Sequence, residues 1–265
     1  MSSLSFIITF VAFFSISNSL YAVDFDCTAL FKKNGIEATD KPCLSKCTTV
    51  RVDMGSYMCP LQCEDFCKDP CKDILKKLEQ NISTERPSNW PNKEKTSVWS
   101  KSEKKLVVES LSRVPEKLTR MSDFEVFKLD KSVAYPNPAS NIAGPKLLIT
   151  IYNSLFTGSY DLDAIFIHEF AHQYYRTMKP DLQKSYRDST NWFTSKSNDK
   201  TILASRSAGF VKEDGKEGPE EDFANNLETY LTDPKTLKNI YAPAFYWIEK
   251  NIGDIKMKKG CRYEK

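Results

Sequence analysis

His168, Glu169 and His172 stand in the order His-Glu-Phe-Ala-His, an instance of H-E-x-x-H. On a helix, positions four apart share a face, so the two imidazoles can offer nitrogens to one metal ion. Glu169 lies one step round, where its carboxylate can reach a water on that ion. Zn²⁺ lowers the pKa of such a water towards neutrality, and a neighbouring carboxylate can take its proton. The chain has 2 histidines, and both fall in this pentapeptide. The competing reading is a surface helix with two solvated imidazoles. The flanks argue against it: Ile165, Phe166, Ile167, Phe170, Ala171 and Tyr174 leave little polar surface, so the helix should be buried. Buried polar groups need partners, and a metal would supply one.

A catalytic zinc site takes three protein ligands and keeps one position open. With no further histidine, the third ligand must be an oxygen or a sulfur, and the sulfurs are better explained as disulfides. The run Glu220-Glu221-Asp222 offers the best carboxylates. It opens a second helix after Pro219, whose apolar stripe is Phe223, Leu227, Tyr230 and Leu231 and which Asp233-Pro234 should end.

Other elements must hold these two helices. A helix is expected over about 95–113, with Leu106, Val107, Ser110, Leu111 and Val114 on its apolar face and Pro115 as its stop. Two extended stretches follow, Phe124 to Leu129 and Lys146 to Tyr152, separated by a Pro-, Asn- and Ala-rich loop from Tyr135 to Gly144. The second stretch reads either as an edge strand, to which an extended peptide could add, or as an ordinary core strand. The metal helix begins near Ser159 or Asp161. Residues Arg176 to Lys200 read as polar loop anchored by Trp192-Phe193, and a last helix spans Ala244 to Asn251. The order is α+β.

The front of the chain is different. Residues 1–22 read as a signal peptide, apolar from Phe6 to Phe14 and small or polar up to Ala22; the apolar run is shorter than the roughly 20 residues that span a bilayer. Of 8 cysteines, Cys27, Cys43, Cys47, Cys59, Cys63, Cys67 and Cys71 crowd the next stretch and Cys261 stands alone. Their C-x-x-x-C spacing behind a signal peptide favours disulfides over a zinc cluster. Prolines 42, 60 and 70 suit the first turns of short helices, and Cys43–Cys63 with Cys47–Cys59 would lace two of them. Cys71, Ile74, Leu75 and Leu78 continue a helix. Cys261 must pair backwards, with Cys27 as one candidate. The layout is thus signal peptide 1–22, cysteine-rich helical module 23–80, linker 81–94 with a sequon at Asn81, and catalytic domain 95–265. The expected setting is outside the cytoplasm, extracellular or periplasmic, as a monomer with no membrane span after cleavage. With 38 basic and 35 acidic residues, nothing points to nucleic acid.

His-Glu-Phe-Ala-His followed by a helix carrying Glu221-Asp222-Phe223-Ala224 resembles the gluzincin metallopeptidases, and most nearly the lethal-factor-type catalytic domain, over Lys146 to Leu231. The resemblance implies a zincin-like fold, a small sheet with an active-site helix and a glutamate helix. It implies Zn²⁺ held by His168, His172 and Glu221, with Glu220 as the alternative third ligand. It further implies Glu169 as general base and hydrolysis of a protein or peptide substrate. One position departs: Asp214 stands where such domains carry a tyrosine that donates to the oxyanion. Tyr174, Tyr175 and Tyr186 lie near the metal helix instead, and Arg206 or Tyr160 are the substitutes considered. The rival readings are a catalytically inactive zinc-binding protein that acts as a binding or adhesion module, and a structural protein whose helices only pack.

Overall fold

The computed structural model describes residues 70–86, 94–131, 138–142, 144–195 and 201–263. The chain divides into units Met1–Asp69 and Pro70–Lys265. The signal-peptide segment and the cysteines from 27 to 67 lie outside the described residues. Helix α1 (Pro70–Glu79), grouped with the cysteine-rich module on sequence grounds, belongs by its contacts to the second unit. Its neighbour α2 (Lys101–Arg113) starts later than expected, because Ser100 and Glu103 close a reciprocal capping box there. Upstream, Thr96 bridges instead to Leu129. Val107, Val108, Ser110, Leu111 and Val114 are buried, whereas Leu106 turns outward and is 53% exposed. A short α3 (Glu116–Thr119) follows.

Strands β1 (Asp123–Leu129), β2 (Ala139–Ile142) and β3 (Lys146–Tyr152) form a sheet in the order β1-β3-β2. β1 runs parallel to β3 with Phe124 opposite Leu147, and β2 is antiparallel with Ala139 opposite Ile151. This decides between the two readings of the second stretch and corrects the expected loop. β3 is the central strand, as its nearly uninterrupted burial requires. β2 is an outer strand, and it lies inside the stretch read as loop. Alternation divides the sheet's faces. Phe124, Val126, Leu147, Ile149 and Ile151 join the main core, and Phe127, Leu129, Leu148 and Tyr152 form a smaller cluster. Within the expected linker, Ser83 N donates to Val126 O at 2.8 Å and Val126 N to Asn81 O at 2.8 Å, so its described start flanks β1.

After a single turn, α4 (Ser154–Thr157), comes the long helix α5 (Leu162–Thr177). Asp161 caps it by accepting from the backbone N of Asp163 and Ala164. Arg113 of α2 grips its first turn, with Nε 2.5 Å and Nη2 2.9 Å from the Asp163 carboxylate. The stretch after α5 is not loop: α6 (Pro180–Ser189) buries Tyr186, and β4 (Trp192–Thr194) pairs with β5 (Ile202–Ala204). Pro180 supplies the fixed φ of a first turn, and polar residues hid the rest. Helix α7 (Pro219–Thr232) lies against α5, burying Phe223, Ala224 and Leu227. The final α8 (Pro234–Asn251) is longer than expected and broken at Tyr241 (φ −150°, ψ 81°). Pro243 lacks the N–H that a continuous helix would use there. Among the described residues no helix is long and apolar enough to cross a membrane.

The tail returns over α2, where Cys261 N donates to Ser112 Oγ at 2.7 Å. Gly260 (φ +73°) permits the approach, since a Cβ there would collide with the Arg113 side chain. This brings Cys261 to disulfide distance from Cys71, with Cα atoms 5.1 Å apart. The expected backward pairing therefore ends on Cys71, not on Cys27. Peptide mapping without reduction should recover the Cys71 and Cys261 peptides joined. Replacing both by serine should lower stability by about 2–5 kcal/mol in urea titrations, the usual loss for a native bridge.

Candidate metal and catalytic site

The 16-residue α5 carries His168 and His172 on the face that meets the first turn of α7. His168, His172 and Glu221 converge there, each with one ligand-type atom within 4.8 Å of the others. His168 Nε2 lies 3.0 Å from Glu221 Oε1, and His172 Nε2 lies 3.2 Å from Glu221 Oε2. The two Nε2 atoms are 3.1 Å apart. Ligands about 2.05 Å from one tetrahedral ion would be separated by about 3.3 Å, so the triangle matches a shared metal within a few tenths of an ångström. Hydrogen bonds between an imidazolium and a carboxylate have similar lengths, so the same triangle can hold a proton.

Behind each imidazole stands a carboxylate. His172 Nδ1 is 2.9 Å from Glu220 Oε1, and Arg176 Nη2 is 2.6 Å from that same oxygen. The alternative third ligand therefore sits behind His172 rather than beside Glu221. His168 Nδ1 lies 3.3 Å from Glu228 Oε2, near enough for an ion pair but off hydrogen-bond alignment. Lys212 Nζ is 2.5 Å from the same Glu228 oxygen. Such carboxylates fix the tautomer and ring orientation of a metal-binding histidine. Glu228 was missed from sequence, although its signal was there. It follows Glu221 by seven residues, two turns along the same helix face.

Glu169 is buried and opens on the same cleft, its Oε2 accepting from Asn141 Nδ2 of β2. Asn141 Oδ1 accepts in turn from Arg176 Nη1 at 2.7 Å. The cleft holds about 330 Å³ and is lined by Pro138 and the first three residues of β2, by α5, and by Lys212, Asp214, Glu221 and Glu228. Asp214 accepts from Asn225 Nδ2 at 2.7 Å. The expected substitute donors are elsewhere. Arg206 is sandwiched between the Phe210 and Tyr241 rings, 4.0 and 3.9 Å from their centroids. Tyr160 is exposed and is not among the cleft-lining residues, and Tyr174, Tyr175 and Tyr186 are buried among aromatic rings.

Arg206 instead pairs with Asp222 as an ion pair, its Nη2 2.5 Å from Oδ2 but off hydrogen-bond alignment, and that oxygen accepts from Trp192 Nε1 at 2.9 Å and Tyr186 OH at 3.0 Å. Burial pushes the Asp222 carboxyl up, and Arg206 and these donors only partly offset it. In the ligand triangle the balance goes the other way. Burial opposes charge on His168, but Glu221 and Glu228 outweigh it and raise the imidazole to about 10. Burial likewise raises Glu221, yet its bonds to His168 and His172 hold it well below the usual carboxylate range.

No protein-family model, curated protein or solved structure matches this chain.

Two outcomes follow from the site alone. His168, raised from 6.5 to about 10, contributes stability to chelated protein that is complete below pH 6.5 and lost as pH rises through about 10. A metal must displace that proton. Calorimetric titration of chelated protein with Zn²⁺ at pH 7.5, in two buffers of different ionisation enthalpy, should show net proton release on binding, and Glu221→Gln should weaken binding. Separately, Asp222→Ala leaves Arg206 buried without its anion. It should cost about 3–5 kcal/mol in chemical denaturation, as one-sided removal from a buried pair does.

Proposed function

We propose that this chain is a secreted zinc-dependent endopeptidase, with His168, His172 and Glu221 as ligands and Glu169 as general base. The observation that carries the reading is the meeting of these four side chains from two helices at one cleft. The resemblance of both motifs to gluzincin metallopeptidases supports it further, and so does the donor set. Two imidazoles and a carboxylate are ligands zinc accepts, and each imidazole has a carboxylate within ion-pair distance of its far nitrogen.

Bound zinc would supply the Lewis acidity that polarises a carbonyl and acidifies a water. The chain's own residues supply the rest. Glu169 takes the water proton and delivers it to the departing amine nitrogen, and Asn141 holds its carboxylate toward the cleft. β2 presents an edge along that cleft, where an extended peptide can add as a further strand. This favours an internal peptide bond as substrate.

The second reading is a catalytically inactive zinc-binding protein. It draws on Asp214, an acceptor where the resembled family has a donor. Zinc-loaded full-length protein incubated with a mixed peptide pool, with products read by mass spectrometry, separates the two. On the hydrolytic reading peptides are cut, chelation stops cleavage, and Glu169→Gln keeps stoichiometric zinc while losing about 10²–10⁴ in rate. Zinc bound with no peptide cut would establish the second reading, and Glu169→Gln with full activity would remove Glu169 from its role.

A further inference from the structure

The hydrolytic reading requires a donor for the carbonyl oxygen of the bond being cut, and the cleft's donors can be taken in turn. Asn141 gives one N–H to Glu169 and accepts from Arg176, which holds its amide against the general base. Arg176 is divided between Asn141 and Glu220. Ser140 Oγ shares a hydrogen bond with Tyr152 OH at 3.0 Å. Asp214 is an acceptor. Lys212 is the cleft cation held by α7 rather than by Glu169's supports: its side chain is 45% exposed, it lines the cleft, and its Nζ meets Glu228 Oε2 at 2.5 Å. An ammonium has three N–H donors, and this contact uses one.

The placement also fits. Glu169 is tied to the edge strand through Asn141, whereas Lys212 is tied to α7 through Glu228. The general base and the ammonium thus belong to different walls of one cleft, with the ligand triangle in the same space. Lys212 precedes the 3-10 turn Glu213–Lys216 that leads into α7, in the same approach segment as the departing Asp214. Glu228 touches both His168 and Lys212, so one carboxylate orients a metal ligand and the ammonium together.

We propose that Lys212 donates to the carbonyl oxygen of the bound peptide and stabilises the negative charge that develops there, with Glu228 as the positioning residue. This rests on the hydrolytic reading above. Donors aimed at developing charge in a partly desolvated cleft act mainly on the transition state, so the effect falls on kcat. The lysine's four-carbon stem lets the ammonium follow the oxygen while one N–H stays on Glu228.

The test uses zinc-loaded full-length protein, the peptide cut fastest in the mixed pool, and a phosphinic analogue of that peptide, whose anionic oxygen imitates the tetrahedral geometry. Lys212→Met should lower kcat by about 10²–10³ with little change in KM. It should weaken the phosphinic analogue by a similar factor and leave zinc affinity, measured by chelator competition, unchanged. Lys212→Arg should recover most of the rate. An active wild type whose kcat and analogue binding are indifferent to Lys212→Met would overturn this assignment alone. So would a loss of zinc affinity in step with kcat, because Lys212 would then act only through His168. A wild type that binds zinc and cuts nothing would overturn the hydrolytic reading, and this one with it.

Discussion

The site depends on the rotation of α7 about its own axis, and one buried carboxylate sets that rotation. Adjacent residues on a helix point about 100° apart, so Glu221 can face α5 only if Asp222 faces the side of α6 and β4. Asp222 is fully buried and meets partners from three separate segments: it accepts from Tyr186 and Trp192 and forms an ion pair with Arg206. Phe223, Ala224 and Leu227 supply apolar burial, but apolar contacts tolerate small slips. A carboxylate with two fixed donors and a buried counter-ion does not, because a slip leaves buried polar and charged groups unpaired. Arg206 is itself held between two rings, one of them Tyr241 at the break in α8. The kinked terminal helix and Arg206 therefore both bear on where Glu221 points, although neither lines the cleft.

The same logic extends to the histidines. Each Nδ1 faces an acid, and each acid faces a base: Glu220 and Arg176 behind His172, Glu228 and Lys212 behind His168. Both acids belong to α7, so the helix that carries Glu221 also orients the two imidazoles. This concentrates negative charge around two imidazoles and explains why His168 is raised so far. It also explains why the first turn of α7 can carry three consecutive acids. The positive end of the helix favours all three, and each has its own cation or imidazole.

Much of this was legible in the sequence, and unevenly so. H-E-x-x-H states its geometry through helical spacing, and the apolar residues around it announced a buried helix. Glu221 was reachable once the later acidic, then apolar, helix was seen, but choosing it over Glu220 needed the family resemblance rather than periodicity. The mixed α+β order was likewise readable. What stayed hidden has physical causes. Helix α6 is polar on most of its surface and buries chiefly Tyr186, so it shows no broad apolar stripe. Strand β2 has four residues, a polar centre and prolines before it, which is the composition of a loop. It is a strand because β3 offers it partners. Arg206 looked like a site residue because it is a cation in a polar loop; its burial beneath two rings is a tertiary event with no local signature. Cys261 had to reach backwards across the chain, yet the choice of Cys71 depends on the tail crossing α2.

That hidden strand is where fold and chemistry meet most closely. Short edges with polar residues are a common way to keep a sheet from pairing indiscriminately, and β2 has both features. Here the edge also lines the cleft, and its Asn141 side chain holds Glu169. On the hydrolytic reading, a peptide added to β2 would run alongside the residue that fixes the general base. Recognition by backbone hydrogen bonds and positioning of the proton acceptor would then share one residue. A strand that only completed the sheet would have no need of an asparagine aimed at a buried glutamate. The side chain makes two contacts away from its own sheet, one to Glu169 and one to Arg176, and both lead back to the histidine helix. The geometry of β2 therefore answers to the cleft as much as to β3.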